Sequence, residues 1–277
     1  MKAALYIALD ISREALARRW FLAFAVALTA LHLVLLLGLR LDVVDGALAA
    51  TRLFGSTLGS DIRSADVVLR HVFEAATYAA YYAGLAFGVL ACSDFGPELL
   101  APGRIEHLLS LPVRRVELLV GTFLGVLALG VIGTAYGAGG FFLILCAKGG
   151  VWMWRPFCAM YLASVAFFAI YACMLATAVF VRSAAASAAA GAVTFLVGVL
   201  AKQREALAAL IDAGLGRELF LVLSAPLPRV AELADAAASL ALGEPPVAGL
   251  GRLVLGTLAF GMAVLGVGAY ALEGKDF

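Results

Sequence analysis

Of the 277 residues, 64% are hydrophobic and 14% are charged, and the mean hydropathy is +1.02. A soluble domain is about half apolar and about a quarter charged, so this composition excludes an ordinary soluble enzyme and a disordered chain. Twenty Lys and Arg against 19 Asp and Glu leave a formal charge of +1, which argues against a nucleic-acid partner.

The class that remains is an all-α, polytopic integral membrane protein. At roughly 20 residues per crossing plus loops, the length holds about six or seven spans. Residues 2–20 read as an amphipathic helix, with Leu5, Leu9 and Leu16 on one face and Asp10, Arg13, Glu14 and Arg18 mostly elsewhere. Such a helix suits the membrane interface, and Trp20 after Arg18 and Arg19 stands where a belt aromatic belongs.

Six spans follow, at about 20–39, 71–92, 118–147, 156–181, 184–201 and 249–271. A polar stretch, Arg40 to Arg70, joins the first two, and a charged connector, 93–117, joins the second and third. The third span carries Gly121, Gly125, Gly130, Gly133 and Gly137, which predicts a close helix neighbour. Arg182 and Ser183 make a tight turn between the fourth and fifth spans. Residues 202–248 are interrupted by Asp212, Arg217, Glu218, Pro226 and Pro228, too often for a lipid-facing span. They read as short interfacial helices or a re-entrant pair packed against protein.

An even span count places both termini on one side. Arg18 and Arg19 before the first span, against Arg40 after it, favour that side being cytoplasmic. The expected location is a bacterial cytoplasmic (inner) membrane, with the chain forming a single transmembrane domain over 1–277.

Chemistry-bearing residues are sparse. No GxxxxGK[ST], HExxH or metal-ligand cluster occurs, so no catalytic residue, cofactor or metal is expected in this chain. Cys92, Cys146, Cys158 and Cys173 form no CxxC pair and read as small apolar residues. His32 sits at membrane depth, where a neutral imidazole hydrogen-bonded between helices is favoured over a functional role. Glu74, Tyr78, Tyr81 and Tyr82 share one face of the second span. That face either lines a polar pathway or partner interface, or is an aromatic belt with a solvated Glu.

The connector contains IEHLLSLP, a short amphipathic helix ended by Pro112. Held between two spans, it either passes force from a soluble partner or is an ordinary interfacial loop. Its surroundings, GRIEHLLSLPVRRVELLVGT at 103–122, resemble the GTLExLLSxPVSRxxLLxGK segment of ABC-2 type transporter permeases. Matching positions are Gly103, Glu106, Leu108, Leu109, Ser110, Pro112, Val113, Arg115, Leu118, Leu119 and Gly121. The opening ISREALARRWFL, 11–22, is similar to that family's amphipathic start, and LEGKDF, 272–277, to its FExRDF-like ending. Departures are Arg104 for Thr, Ile105 for Leu, Thr122 for Lys, and an acidic run thinned to Glu98.

The resemblance implies a permease subunit that dimerises with itself or a related permease and pairs with cytoplasmic ABC ATPase subunits. ATP and Mg would be bound by that partner ATPase, not by this chain. Residues 1–19 would be the connecting helix, and 93–117 would hold the coupling helix. Glu98, Glu106, His107, Leu108, Leu109, Arg114 and Arg115 would contact the ATPase, with Leu108, Leu109 and Leu111 as apolar anchors. Residues 202–248 would form an extracytoplasmic, re-entrant gate. The result would be ATP-driven export, or mechanical signalling across the membrane. The alternative is a non-transporting scaffold in the lipid bilayer that anchors a soluble or extracytoplasmic partner.

Overall fold

The computed structural model of the chain describes residues 2–44, 47–53, 56–59, 63–110, 112–150, 152–211 and 214–275, without the side chains of 2, 19, 20, 39–69, 109 and 149. Trp20, Arg19, Arg40, Leu109, Leu111 and Asp212 therefore lie wholly or by their side chains outside the described residues.

Helix α1, Lys2–Ala17, precedes α2, Arg19–Gly38, the first span. The connector that follows pairs as a small antiparallel sheet. Strand β1, Leu39–Val44, pairs with β2, Ala47–Leu53, in a register running from Leu39 opposite Leu53 to Val44 opposite Ala47. Strand β3, Ser56–Gly59, and β4, Arg63–Ser64, both pair with β2. Asp45-Gly46 stands between β1 and β2 in sequence, outside the described residues, and Asp-Gly is a strong hairpin signal.

Helix α3, Ala65–Ala91, continues through α4, Phe95–Leu99, as the second long apolar element. The short α5, Arg104–Leu109, leads to α6, Arg115–Gly149, the third span. Helices α7, Arg155–Ala159, and α8, Tyr161–Val181, make the fourth. Arg182, at φ 52°, closes α8 in the left-handed region, and Ser183 Oγ accepts from the Ala186 N–H to cap α9, Ala184–Leu200. A 3-10 turn, Ala201–Gln203, passes into α10, Arg204–Ala209, then α11, Leu215–Ser224, and α12, Val230–Ala241. Helix α13, Leu250–Glu273, is the sixth span. All six expected spans are thus helices long and apolar enough to cross a membrane.

Helix α8 is the centre of the bundle, packed by α6, α9 and α13 and buried along most of its length. Phe123, Phe167 and Tyr171 stack there at centroid distances of 5.7 and 5.8 Å. Small residues on α9 let it close on α8: Ser187 Oγ donates to Met174 O at 3.1 Å, and Gly191 faces the Met174 side chain.

Between α10 and α12, residues 201–241 make only short helices. The longest, α12, has 12 residues, about 18 Å of helix against a hydrocarbon core of about 30 Å. Its alanines let it sink against α3, α7 and α8, and Val230, Leu233, Ala234 and Ala237 are fully buried. Helix α11 is the opposite case, with Leu215, Leu219, Val222 and Leu223 exposed.

Of the five glycines expected to pack closely, Gly121, Gly125, Gly130 and Gly137 meet neighbours within this chain, and Gly133 meets none within 4 Å. Ala4, Ala8, Ile11 and Ala15 form the buried stripe of α1 and lie across α6 at Gly121 and Gly125. A Cβ on Gly125 would stand 2.9 Å from Ala8 O and 2.9 Å from Ile11 Cβ. The predicted leucine face, Leu5, Leu9 and Leu16, lies on a different side of the helix and is exposed. Substituting Gly125→Val is therefore expected to lift α1, costing about 1–3 kcal/mol as overpacking. Faster amide exchange confined to α1 checks this.

Candidate functional site: the junction of the N-terminal helix and the 93–117 connector

One end of the bundle gathers α1, α4, α5, the start of α6 and the last residues of the chain. Arg18, at the end of α1, is the hub. Its guanidinium pairs with Glu14 at 2.8 Å, with Asp94 at 3.5 Å and with Glu98, and it lies 4.4 Å from the centre of the Phe95 ring. Its side chain is only 14% exposed, so these ion pairs are shielded more than surface pairs usually are. Arg104, at the start of α5, closes the network with a two-pronged contact to Glu14, at 2.6 and 3.2 Å. Helix α1 is thereby tied to both halves of the connector across about 80 to 90 residues of sequence.

The Arg104 hydrogen bonds hold the Glu14 carboxyl below its ordinary value of 4.5, outweighing partial burial, and Arg104 is pushed up in turn. A carboxylate with a depressed folded value stabilises above its unfolded value and loses that stabilisation as pH falls through the folded one. The α1–α5 contact is thus expected to be intact at neutral pH and to weaken only below about pH 4.5. Glu14→Gln should be loosened at neutral pH and lose this acid dependence. Distance measurements between spin labels at Ser12 and Ser110 as pH is lowered test both.

The connector sorts the predicted ATPase-contacting residues into two sets. Ile105 is 3% exposed and belongs to the main core, and Leu108 packs against that core. Leu108 is only partly buried there. Glu98 is held by Arg18. Arg115 donates to Leu272 O at 3.3 Å and Glu273 O at 3.2 Å, stapling the C-terminal end to α6. Lys275 reaches the last carbonyls of α8, Val179 O and Phe180 O, a favourable place for a cation. Among the members whose side chains are described, Glu106, His107 and Arg114 are the exposed ones. Sequence reasoning missed Arg104 and Glu14 as partners, since nothing local joins them.

The second predicted set lies near the middle of α3. Tyr81 Oη donates to Val230 O at 3.0 Å, and Tyr78 Oη donates to Asp235 Oδ1 at 2.9 Å. Asp235 also pairs with Lys202 at 2.6 Å, and Tyr82 packs edge-on to Phe195 at 6.1 Å. Tyr78 and Tyr81 thus bond to α12, while Tyr82 packs on α9. Glu74, half-buried one turn earlier, is outside that set of bonds. Asp235→Ala is expected to cost about 1–3 kcal/mol by leaving the Tyr78 and Lys202 contacts unmade, read as faster exchange in α12.

His32 Nε2 lies 3.0 Å from Gly137 O, so the histidine is satisfied between α2 and α6. Cys92 and Cys146 are buried, as expected of small apolar residues, but Cys158 is exposed. Among the described residues no group of three His, Cys, Asp or Glu is placed to hold a metal. No family model matches the chain, and no curated protein matches it.

Proposed function

We propose that this chain is the membrane-spanning subunit of an ABC transporter complex, coupling ATP hydrolysis by a separate cytoplasmic ATPase to export or to mechanical work across the membrane. The observation that supports this reading best is the Arg18 hub, with Glu14, Asp94, Glu98 and Arg104 around it. It binds the N-terminal helix and the connector into one unit, with Glu106, His107 and Arg114 facing outward beside it. A force applied to such a unit moves both ends of the connector together, where a mobile loop would absorb it.

In this reading the ATPase binds Mg and ATP and closes on α5. The push passes into α3 and α6, which flank the connector. Helix α3 carries it to α12 through Tyr78 and Tyr81. A second copy of the chain, or a related permease, completes the assembly, and both termini face the cytoplasm. The chain performs no hydrolysis itself.

The test is co-purification with an ATPase encoded beside it, followed by hydrolysis with and without this chain. Stimulated, chain-dependent hydrolysis supports the reading. A chain that neither retains the ATPase nor changes its rate overturns it. In a Cys158→Ser background, Ser110→Cys, on the exposed turn after α5, should resist membrane-impermeant maleimide added outside intact cells, and ready labelling would overturn the orientation.

A further inference from the structure

A groove of about 500 Å³ opens on the flank of the bundle between α2, α6 and α7, a size in the usual range for small-ligand sites. Its walls include His32, Tyr136, Leu143, Phe157, Met160 and Tyr161, with Gly139 and Gly140 lining α6. Two of the polar side chains in these walls, His32 and Tyr136, are spent internally. His32 Nε2 is matched to Gly137 O at 3.0 Å, and the Tyr136 hydroxyl to Thr29 Oγ1 at 2.5 Å. Little in the groove asks for water or a polar ligand, so its complement is apolar.

Depth identifies the source of that apolar ligand. Gly140 lies nine residues before the end of α6 at Gly149, about 14 Å along the helix. Half a hydrocarbon core is about 15 Å, so the groove opens sideways at the level of acyl chains. Above it, Trp152 and Trp154 are exposed, and Trp152 stacks on Phe157 at 5.9 Å. Exposed tryptophans mark the headgroup level. Arg155 sits among them, one turn before Cys158 and on the same face of α7. One of its nitrogens donates to Gly243 O at 2.6 Å, which fixes the guanidinium while leaving further donors.

We propose that this groove is a binding site for an anionic membrane phospholipid, one acyl chain lying along Gly139, Gly140 and Phe157 and the phosphate meeting Arg155. The site depends only on the chain spanning a membrane, so it stands apart from the ATPase-coupling reading.

The experiment uses the full chain in phosphatidylcholine nanodiscs doped with phosphatidylglycerol carrying a diazirine on one acyl chain. Cross-linked peptides should concentrate on 132–143 and 157–161. Ala135→Trp, which fills the mouth from an exposed position, should lower that yield about tenfold, the effect of about 1.4 kcal/mol. Arg155→Gln should lower it for the phosphatidylglycerol probe and not for a matched phosphatidylcholine probe. As a second measurement, phosphatidylglycerol should slow alkylation of the native Cys158 by N-ethylmaleimide. Cross-links spread evenly over the lipid-facing helices and unchanged by Ala135→Trp, with Cys158 unprotected, would mean annular lipid only and overturn the site. Equal labelling by both probes would overturn the anionic headgroup.

Discussion

Arg18→Glu is expected to undock the N-terminal helix while leaving the six spans inserted. The substitution removes the cation shared by Glu14, Asp94 and Glu98 and puts a fourth carboxylate among them. Breaking a buried ion pair from one side costs about 3–5 kcal/mol. The partners' side chains are 25–42% exposed, so the lower end, about 3 kcal/mol, applies here. That is roughly a hundredfold rise in the undocked population. Amide exchange of α1 should quicken by about that factor, with α3, α6 and α8 keeping their protection. Arg18→Lys should fall between, since an ammonium keeps the charge but loses the planar fork and most of the stacking on Phe95. A double-mutant cycle with Glu98→Gln should show strong non-additivity. Unchanged exchange in Arg18→Glu would mean that the alanine stripe on Gly121 and Gly125 holds α1 alone.

The span pattern was legible because the contrast it rests on is large: long apolar runs against short charged connectors. The turn at Arg182 and Ser183 and the broken character of 202–248 followed from the same contrast plus proline chemistry. The face by which α1 docks was not legible. Leu5, Leu9 and Leu16 are the more hydrophobic stripe, yet Ala4, Ala8, Ile11 and Ala15 are buried, because close approach to two glycines rewards small side chains over large ones. In a membrane, burying a leucine against protein gains little over leaving it in lipid. The Glu14–Arg104 pair was equally hidden, since each residue alone reads as a solvated charge. The strands over 39–64 were not read within the polar stretch, although Asp45-Gly46 between Val44 and Ala47 carried a hairpin signal. Tyr78 and Tyr81 of α3 were read without their partner, α12, which lies some 150 residues away.

Two sets of substitutions in α5 are expected to fail in different ways, which separates the fold of the connector from its docking. Ile105 is buried in the same core as Leu100, Leu118 and Leu119. Ile105→Asp must therefore bury a carboxylate with no cation assigned to it, or stay protonated, and the cost is several kcal/mol either way. A connector that loses exchange protection, with a lower melting temperature, is the expected result. Leu108→Asp should act in the same direction but less, because Leu108 is only partly buried. Glu106 and His107 are exposed on the same helix, so Glu106→Lys combined with His107→Glu should change stability by no more than about 0.5 kcal/mol. If α5 docks on an ATPase, that pair reverses the charge pattern presented to it, and like-charge contacts across an interface cost several kcal/mol. Stimulated hydrolysis should then drop by about tenfold or more in a chain whose thermal unfolding matches the original. A double variant that couples normally would remove α5 as the point of contact, whereas an Ile105→Asp chain as stable as the original would contradict the inward packing of the connector itself.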